Sequence, residues 1–199
     1  MIKIIKLDPS KPYDEFAKYY KKALKKNQPA IEAIAISSFN SPAKEVESRY
    51  VNLKYILGDE WIFFTNYESR KAKDFQNHKQ ISALFYWSKI DTQIRIKAKI
   101  KKTNSSFSDT HFLKRSKEKN ALAISSRQSL PINSYKDIIK NYDLTYKSNI
   151  NLDKRPEYWG GFSFVPYYFE FWIGHESRIN KREVYSFEDG KWKNYYLQS

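Results

Sequence analysis

The feature that most constrains the fold is a run near the middle of the chain in which apolar and basic side chains alternate. Residues 93–102 read QIRIKAKIKK. Because successive side chains of a β-strand point to opposite faces, this period of two predicts a half-buried strand with one basic face. The apolar face carries Ile94, Ile96, Ala98 and Ile100, and the basic face carries Arg95, Lys97, Lys99 and Lys101.

Short segments with strand patterns, separated by turn signals, lie on both sides of this run. Before it come AIEAIAISS, EVESRYVNLKYIL, WIFFT and ISALFYW, with turns at 40–42 and 58–59. After it, WGGFSFVP, YYFEFWI, RINKREVYSF and KWKNYYLQ predict a closing antiparallel meander. Many short strands with a few helices in the connections favour a mainly β fold of the α+β class, arranged as a closed or nearly closed antiparallel barrel.

Four segments predict helices between or before the strands. Residues 13–26 place apolar side chains at spacings of three and four, which predicts a lysine-rich helix with one apolar stripe facing the core. Further helices are expected at about 69–78 and at 105–120. Ser134 followed by Asp137 resembles a capping box and predicts a helix over SYKDIIKNYDLTY.

Composition limits the class of protein. The 199 residues suit one domain, and no flexible tether, internal repeat or low-complexity tract divides them. Cys is absent and Met1 is the only Met, which excludes disulfides, thiolate metal sites and a cysteine nucleophile. The first residues lack the apolar core of a signal peptide, and no apolar run is long enough for a membrane span, so we expect a soluble cytoplasmic protein.

The charge balance raises a polyanionic partner as a hypothesis. A net charge of +14 with a pI ≈ 9.6 suits nucleic acid or an anionic membrane, but a background composition bias or a phosphate-bearing small ligand would also explain it. Aromatic residues, at 17% of the chain, could stack on single-stranded nucleic acid. Core packing is the expected use of those that fall inside apolar strands, such as Phe63, Phe85, Phe169 and Phe171.

Several common catalytic and nucleotide-binding motifs are absent. No G-x-G-x-x-G follows a strand, and no G-x-x-x-x-G-K-[ST], H-E-x-x-H or G-x-S-x-G occurs. His78, His111 and His175 are scattered without metal-ligand spacing. We therefore expect no metal site and no nucleotide bound through those loops.

Ser69, Arg70 and Lys71 lie at the predicted start of the helix that follows WIFFT. Backbone N–H groups are unpaired there and the helix dipole is positive, so these three side chains could complete a phosphate cradle. A capped, solvated helix start is the simpler interpretation. The sign of the charge favours the cradle, because cations at a helix N-terminus oppose the dipole unless an anion is present.

Two further groups of charges give weaker signals. Arg49 and Lys54 fall in one predicted strand and would point to opposite faces of it if that strand is regular, although two surface charges at a sheet edge explain them equally. Trp172 is followed by Arg178 and Arg182 across a predicted turn. Guanidinium groups beside an aromatic ring suit a flat anionic heteroaromatic ligand, and a hairpin with its charges outside is the competing interpretation.

From about residue 30 to the end, these segments resemble the pyridoxamine 5′-phosphate oxidase family in order along the chain. RYVNLK at 49–54 is similar to the family's R-x-V-L-L-K strand, and FFTN with SRK at 63–71 is similar to its F-Y-T-N…S-R-K phosphate loop. The remaining matches are FYW at 85–87, Gln93, RQS at 127–129, WGGF at 159–162, and EFWIG with R-x-x-x-R at 170–182. No single piece is decisive, but seven in register are highly specific.

The resemblance implies a homodimer of split β-barrels with two flavin mononucleotide (FMN) sites at the subunit interface. The single domain would cover 1–199, with an N-terminal helical segment at 1–29 and C-terminal strands at 155–199 for dimerisation and the substrate site. Matching positions imply FMN contacts from Arg49, Val51, Lys54, Phe64, Thr65, Ser69, Arg70, Lys71, Gln93, Gln128, Ser129, Trp172 and Arg182. By analogy Arg70 and Lys71 would take the FMN phosphate, while Gln93 and Gln128 would serve polar groups of its ring or ribityl chain.

On the substrate side, the sequence departs from the family at several positions. The family holds the substrate phosphate with Lys, Tyr, Arg and Ser, and the matching residues here are Lys54, His111, Arg115 and Lys119. Two of the four have changed, yet each replacement can still donate a hydrogen bond to a phosphate. A phosphorylated substrate is therefore still expected.

The C-terminal R-L-H-D-R motif of the family reads Arg178-Ile-Asn-Lys-Arg here. The resemblance implies that Arg178 and Asn180 touch the reacting substrate, with Arg178 covering its open face. Asn180 stands where the family has a His and cannot exchange a proton near neutral pH, and Lys181 reverses the charge of the family's Asp. These departures leave the identity of the substrate, or the rate, open.

The implied reaction is FMN-dependent oxidation of pyridoxamine or pyridoxine 5′-phosphate to pyridoxal 5′-phosphate, with oxygen as acceptor and hydrogen peroxide as product. One alternative is a related FMN oxidase or reductase that acts on another planar heterocycle. Another is a non-catalytic carrier of flavin or pyridoxal phosphate. Nucleic acid is disfavoured as the main ligand, because a generic phosphate binder has no use for the spaced contacts Gln93, Gln128 and Trp172.

Overall fold

The alternating segment forms a central strand of one large sheet in the computed structural model, which describes all 199 residues. The strands are β1 (Lys3–Ile5), β2 (Ala33–Asn40), β3 (Glu45–Asn52), β4 (Tyr55–Leu57), β5 (Glu60–Asn66), β6 (Gln80–Trp87), β7 (Thr92–Lys102), β8 (Trp159–Ile173), β9 (Lys181–Glu188) and β10 (Lys191–Tyr196). The helices are α1 (Lys11–Lys25), α2 (Arg70–Asn77), α3 (Ser105–Leu113), α4 (Lys117–Ser125) and α5 (Tyr135–Lys147), with a 3₁₀ turn at Ser88–Ile90.

The sheet runs in the order β1-β4-β5-β8-β7-β6-β2-β3, and the β9–β10 hairpin joins at β8. All pairs are antiparallel except β1 with β4. The predicted mainly β architecture with flanking helices is confirmed. The sheet is not closed into a ring, however, because β1 and β3 each have a neighbour on one side only.

β8 is fifteen residues long and pairs with two different strands along one of its edges. Residues 159–164 pair with β5, and residues 168–173 pair with β9. The sequence pattern predicted two strands here, divided near Pro166, but β8 continues through this point with a β-bulge. Pro166 lies between the residues that pair with β5 and those that pair with β9. Because proline has no N–H, no backbone donor is left unpaired on this edge.

An aromatic core lies between α1 and the sheet. The predicted apolar stripe of α1 is buried, with Phe16 fully enclosed against Trp61 at 4.4 Å between ring centroids. Full burial of such a side chain contributes about 1.5–3 kcal/mol. Core packing of the strand aromatics is confirmed, since Phe63, Phe85, Phe169 and Phe171 are all 0% exposed.

The structure corrects three predicted elements. The strand expected over 45–57 breaks after Asn52, because the chain leaves β2 there and joins β5: the Leu53 N–H bonds to Glu32 O and the Lys54 N–H to Ile62 O. The helix expected at 105–120 divides into α3 and α4, with Ser116 beginning the second helix.

The third correction concerns the two ends of the chain. The N-terminal segment 1–29 is helical only in part, because β1 precedes α1 and pairs with β4. The C-terminal pattern RINKREVYSF forms a strand only from Lys181 onward, since Arg178 takes a left-handed backbone conformation with φ 60°. None of the five helices combines the length and the apolar character that crossing a bilayer requires.

Candidate active site

A cleft of about 520 Å³ opens between β5, the end of β3, the start of α2 and the α3–α4 pair. It brings together many of the side chains that the sequence predicts for cofactor and substrate. Those lining it are Val51, Lys54, Phe64, Thr65, Lys71, His111, Arg115, Lys119 and Gln128, joined by Tyr50, Asn52, Lys114, Ser116 and Trp159. Arg49, Ser69, Arg70, Gln93, Ser129, Trp172, Arg178, Asn180 and Arg182 do not line it.

The lining is strongly cationic. Five of its side chains are Lys or Arg, and none is Asp or Glu; the five are Lys54, Lys71, Lys114, Arg115 and Lys119. Of the five, only Lys54 has an ion pair, with Glu32 at 3.9 Å outside the lining. Like charges gathered in one cleft repel one another, and more strongly where water is partly excluded. An anionic ligand would relieve that repulsion.

Lys71 is the most deeply placed of these cations. Its side chain is only 9% exposed, and its ammonium forms neither a hydrogen bond nor an ion pair in the chain. Burial, together with the nearby charge of Arg49, lowers the Lys71 pKa to about 8. Almost all buried cations in proteins are paired, so this one is suited to an anion that is not part of the chain.

Arg115 lies at the other side of the cleft over the indole of Trp159, 4.3 Å from the ring centroid. One guanidinium nitrogen, Nη2, donates to Lys119 O at 3.0 Å, whereas the buried Nη1 has no partner. Burial lowers the Arg115 pKa to about 10. Its unpaired N–H groups can still receive a phosphate or carboxylate, because a guanidinium offers several donors in one plane.

His111 is held between an aromatic ring and a hydroxyl. Its imidazole stacks on Phe64, with centroids 3.7 Å apart and planes 8° apart, and its Nδ1 lies 2.9 Å from Tyr55 Oη. Burial, reinforced by the charges of Arg115 and Lys54, lowers the His111 pKa to about 4. The ring is therefore neutral at physiological pH and can serve only as a neutral hydrogen-bonding group.

The floor beside Phe64 is formed by Thr65 and Gln128. Gln128 Oε1 accepts hydrogen bonds from Thr65 Oγ1 at 3.0 Å and from the Asn66 N–H at 3.3 Å. These bonds orient the exposed amide so that its –NH₂ group has no partner in the chain. Gln128 thus has two donors that a ligand could use.

At the start of α2, where the sequence predicts a phosphate cradle, Arg70 and Lys71 have different surroundings. Arg70 is exposed, and its Nη1 donates to Glu47 Oε1 at 2.8 Å, so a carboxylate of the chain already supplies the anion expected there. Ser69 is fully buried and donates its hydroxyl hydrogen to Asn66 O at 2.7 Å. Arg49 bonds to Ser38 Oγ at 2.6 Å and to Glu47, which leaves Lys71 as the free cation of the group.

The predicted C-terminal residues form a second group outside the cleft. Pairing places Gln93, Trp172 and Arg182 in one row across β7, β8 and β9. Arg182 donates twice to the buried carboxylate of Glu170, at 2.8 and 2.9 Å. That carboxylate also accepts from Arg95 at 2.8 Å, so two arginines from neighbouring strands share it.

Arg178 and Asn180 lie in the turn between β8 and β9, beyond that row. Asn180 Oδ1 accepts a hydrogen bond from the His175 N–H at 3.1 Å, which ties the two ends of the turn together. Arg178 is exposed, and its side chain makes no hydrogen bond within the chain. Neither residue approaches the cleft formed by the same chain.

Five lining residues were not among the site residues predicted from the sequence: Tyr50, Asn52, Lys114, Ser116 and Trp159. Trp159 lies under the Arg115 guanidinium, and Lys114 adds a cation to the lining. Tyr55, which does not line the cleft, orients His111 through its hydroxyl. In the sequence, Trp159 could have been identified only by the two glycines that follow it. A Cβ on Gly161 would lie 2.5 Å from Thr103 Oγ1, so only glycine allows this approach between β8 and the chain that follows β7.

Comparison with known families covers most of the chain. Residues 20–140 match the model described as pyridoxamine 5′-phosphate oxidase, and residues 159–199 match the pyridoxine 5′-phosphate oxidase C-terminal dimerisation region. A pyridoxine/pyridoxamine 5′-phosphate oxidase from Janthinobacterium sp. (strain Marseille) is 31% identical over 192 residues, covering 96% of this chain and 90% of that protein. The corresponding protein of Coxiella burnetii is 32% identical over 185 residues, covering 92% and 93%.

Solved structures confirm the fold. PhzG from Burkholderia lata 383, in complex with tetrahydrophenazine-1-carboxylic acid, superposes with a TM-score of 0.89 at 24% identity, covering 96% of this chain and 94% of its own. A pyridoxamine 5′-phosphate oxidase-related, FMN-binding protein from Nostoc punctiforme PCC 73102 gives 0.77 at 11% identity, covering 96% and 99%. With its family matches, its curated relatives and this fold, the chain belongs to the pyridoxamine 5′-phosphate oxidase family of FMN-dependent oxidoreductases.

Proposed function

We propose that this protein is an FMN-dependent oxidase that converts pyridoxamine or pyridoxine 5′-phosphate to pyridoxal 5′-phosphate, reducing oxygen to hydrogen peroxide. The observation that carries the proposal is the carboxylate-free cationic cleft, with the buried and unpaired Lys71 on one side and the unpaired Arg115 Nη1 on another. A flavin phosphate and a substrate phosphate require two such places. The relatives named as this oxidase cover nearly the whole chain.

The residues present suit FMN. Lys71 would hold its phosphate, with Arg49, Ser69 and Arg70 around the same helix start, because the unpaired Lys71 ammonium is the feature that a phosphate satisfies. Contacts to the rest of the cofactor would come from Val51, Lys54, Phe64, Thr65, Gln128 and Ser129.

The row Gln93, Trp172 and Arg182 lies outside the cleft of its own chain, so we propose that a second copy supplies this row. The match of residues 159–199 to a dimerisation region supports this arrangement. It would place two FMN sites at the interface of a homodimer, each built from both chains.

On the substrate side, Lys54, Arg115 and Lys119 would bind the substrate phosphate by charge, and neutral His111 would add a hydrogen bond. Arg178 and Asn180, from the turn after β8 of the second copy, would cover the substrate and exclude water. FMN, when bound, accepts a hydride from the substrate and passes the electrons to oxygen. The side chains orient the substrate against the cofactor and neutralise its phosphate.

A second candidate is an FMN oxidase or reductase for another planar heterocycle. Asn180 and Lys181 favour it, because they replace an imidazole and a carboxylate in the family's substrate motif. The same fold occurs in a protein solved with a tetrahydrophenazine carboxylic acid, and a fold alone does not select a substrate. A carrier that binds flavin without turnover is the remaining alternative.

Spectroscopy of the purified protein tests the proposal. We expect flavin absorption that bleaches without oxygen on addition of either pyridoxine or pyridoxamine 5′-phosphate and returns in air with release of hydrogen peroxide. A yellow protein that neither substrate bleaches would favour another heterocycle or a carrier. A protein that binds single-stranded nucleic acid with steep salt dependence and takes up no flavin would refute the proposal.

Variants separate the substrate group from the cofactor group. Arg115→Gln should raise KM for the phosphorylated substrate at least tenfold while FMN stays bound, because it removes a charged hydrogen bond worth about 1.5–3 kcal/mol. Lys117→Gln, an exposed change at the start of α4 outside the cleft, is the matched control. Arg178→Ala with unchanged turnover and substrate affinity would show that this turn does not cover the substrate.

A further inference from the structure

A cleft of about 930 Å³ is separate from the candidate active site and shares none of its lining residues. A volume of this size lies within the range of small-molecule sites, about 300–1,000 Å³. Nothing in the proposed oxidase function uses it.

Sheet topology creates this cleft. β5 leaves the edge of β8 after Phe164 and β9 joins it from Tyr168, so the two hairpins diverge and the intervening residues face an open fork. Val165, Pro166 and Tyr167 form the base of the fork, at the bulge of β8. The cleft is therefore a fixed consequence of β8 pairing with two partners on one edge.

A tyrosine hydroxyl without a partner in the chain reaches this cleft from a buried ring. Tyr13, from α1, is 2% exposed, and its hydroxyl forms no hydrogen bond in the chain. Burial, with the nearby carboxylates of Asp59 and Asp8, raises the Tyr13 pKa above its ordinary value. A tyrosine hydroxyl usually finds a partner when buried, so this one is suited to a ligand or to water held in the cleft.

The two walls of the cleft carry opposite charges. Asp8, before α1, and Asp59, in the β4–β5 turn, line the side near Tyr13. The other side follows the row Gln80–Lys99–Val165 across β6, β7 and β8, which adds Lys99 and its neighbour Lys79. The side chains of Lys79, Lys99 and Asp59 form no ion pair with any other residue.

Aromatic surface connects the two walls. Trp192 and Phe187, from the β9–β10 hairpin, lie 5.2 Å apart at 61°, and Trp192 also contacts the ring of Tyr13 with centroids 6.3 Å apart. Phe187 is 47% exposed, so this surface is open to solvent in the cleft. Stacking on such a surface suits a flat apolar group, and burying one there removes apolar area from water on both partners.

We propose that this fork cleft is a binding site for a small zwitterion with a flat apolar body, of the aromatic amino-acid class. The ammonium group lies toward Asp8 and Asp59, where Tyr13 provides a hydrogen bond, and the carboxylate lies toward Lys79 and Lys99. The body stacks at Trp192. Opposite charges on facing walls select a molecule that carries both, because either charge alone would leave one wall uncompensated.

Three matched probes test this site: L-tryptophan, tryptamine, which lacks the carboxylate, and indole-3-propionate, which lacks the ammonium. Binding to the full chain is followed by calorimetry and ligand-observed NMR, with saturating FMN present so that the cofactor site is filled. We expect L-tryptophan to bind saturably, with each single-charge probe at least fivefold weaker. Tyr13→Phe, which keeps the ring in the core, should weaken L-tryptophan several-fold.

Removing one charge at a time should weaken the binding of one single-charge probe and not the other, which a general structural defect would not do. Asp59→Asn should weaken tryptamine and leave indole-3-propionate unchanged, whereas Lys99→Gln should do the reverse. Lys119→Gln, in the other cleft, should change none of the three affinities. The proposal is overturned if no probe binds saturably at millimolar concentration, or if all three bind equally and ignore the variants at Tyr13, Asp59 and Lys99.

Discussion

Lys71 provides the sharpest test of the candidate site. Replacing it with methionine keeps the length and the apolar stem of the side chain but removes the ammonium, so α2 should retain its packing. In the free protein this ammonium has no partner, and the variant therefore breaks no bond of the folded chain. We expect Lys71→Met to fold at least as stably as the parent, since it removes the cost of burying an unpaired charge.

The same change should weaken FMN strongly. A hydrogen bond between charged groups contributes about 1.5–3 kcal/mol, which corresponds to roughly a 10- to 150-fold loss of affinity. The pH dependence gives an independent measure. With a Lys71 pKa of about 8 in the free protein, the protonated form that attracts the phosphate is complete below that pH and is lost above it. Affinity should therefore fall as pH rises past 8, by up to about tenfold per unit.

Quenching of flavin fluorescence on titration with apoprotein measures both effects between pH 7 and 9.5, where the phosphate of FMN remains doubly charged. Riboflavin, which has no phosphate, should bind with little pH dependence. Lys73→Met, an exposed change on the same helix, is the matched control. An FMN affinity in Lys71→Met within threefold of the parent, or a fall in affinity above pH 8 that persists in this variant, would refute the assignment of the phosphate to Lys71.

Three other outcomes follow from single contacts. Tyr55→Phe removes the hydrogen bond to His111 and should raise KM for a phosphorylated substrate several-fold. Because the His111 pKa is about 4, the ratio of the KM values of the variant and the parent should stay constant between pH 5.5 and 8. Gly161→Ala would bring a methyl group 2.5 Å from Thr103 Oγ1, and we expect a loss of about 1–3 kcal/mol in urea unfolding. Glu170→Gln leaves two arginines without their shared carboxylate and should cost about 2–4 kcal/mol by the same measurement, discounted because both arginines keep some exposure to water.

The strands were predictable because the direction of side chains along a strand is a local property. The alternation at 93–102 is reproduced residue by residue in β7, with the apolar set buried and the basic set exposed. Where β3 ends was not predictable, because Leu53 continues the apolar pattern and its N–H still bonds to Glu32 O beside β2, whereas the next N–H, that of Lys54, bonds to Ile62 O in β5. Pro166 predicted the end of a strand. The strand continues through it because neither β5 nor β9 pairs with this residue, so no backbone hydrogen bond is lost there.

The motifs of the sequence by themselves determined the family and the mainly β class, and they predicted four of the five cations that line the cleft, all but Lys114, since each depends on residue type and spacing along the chain. Only the tertiary structure decided which cations have no partner. Arg70 and Lys71 are neighbours in sequence, yet Glu47 from another strand neutralises the first, and burial without a carboxylate leaves the second free. Pairing, desolvation and the neutral state of His111 depend on atoms distant in sequence, which is why spacing alone could not assign them.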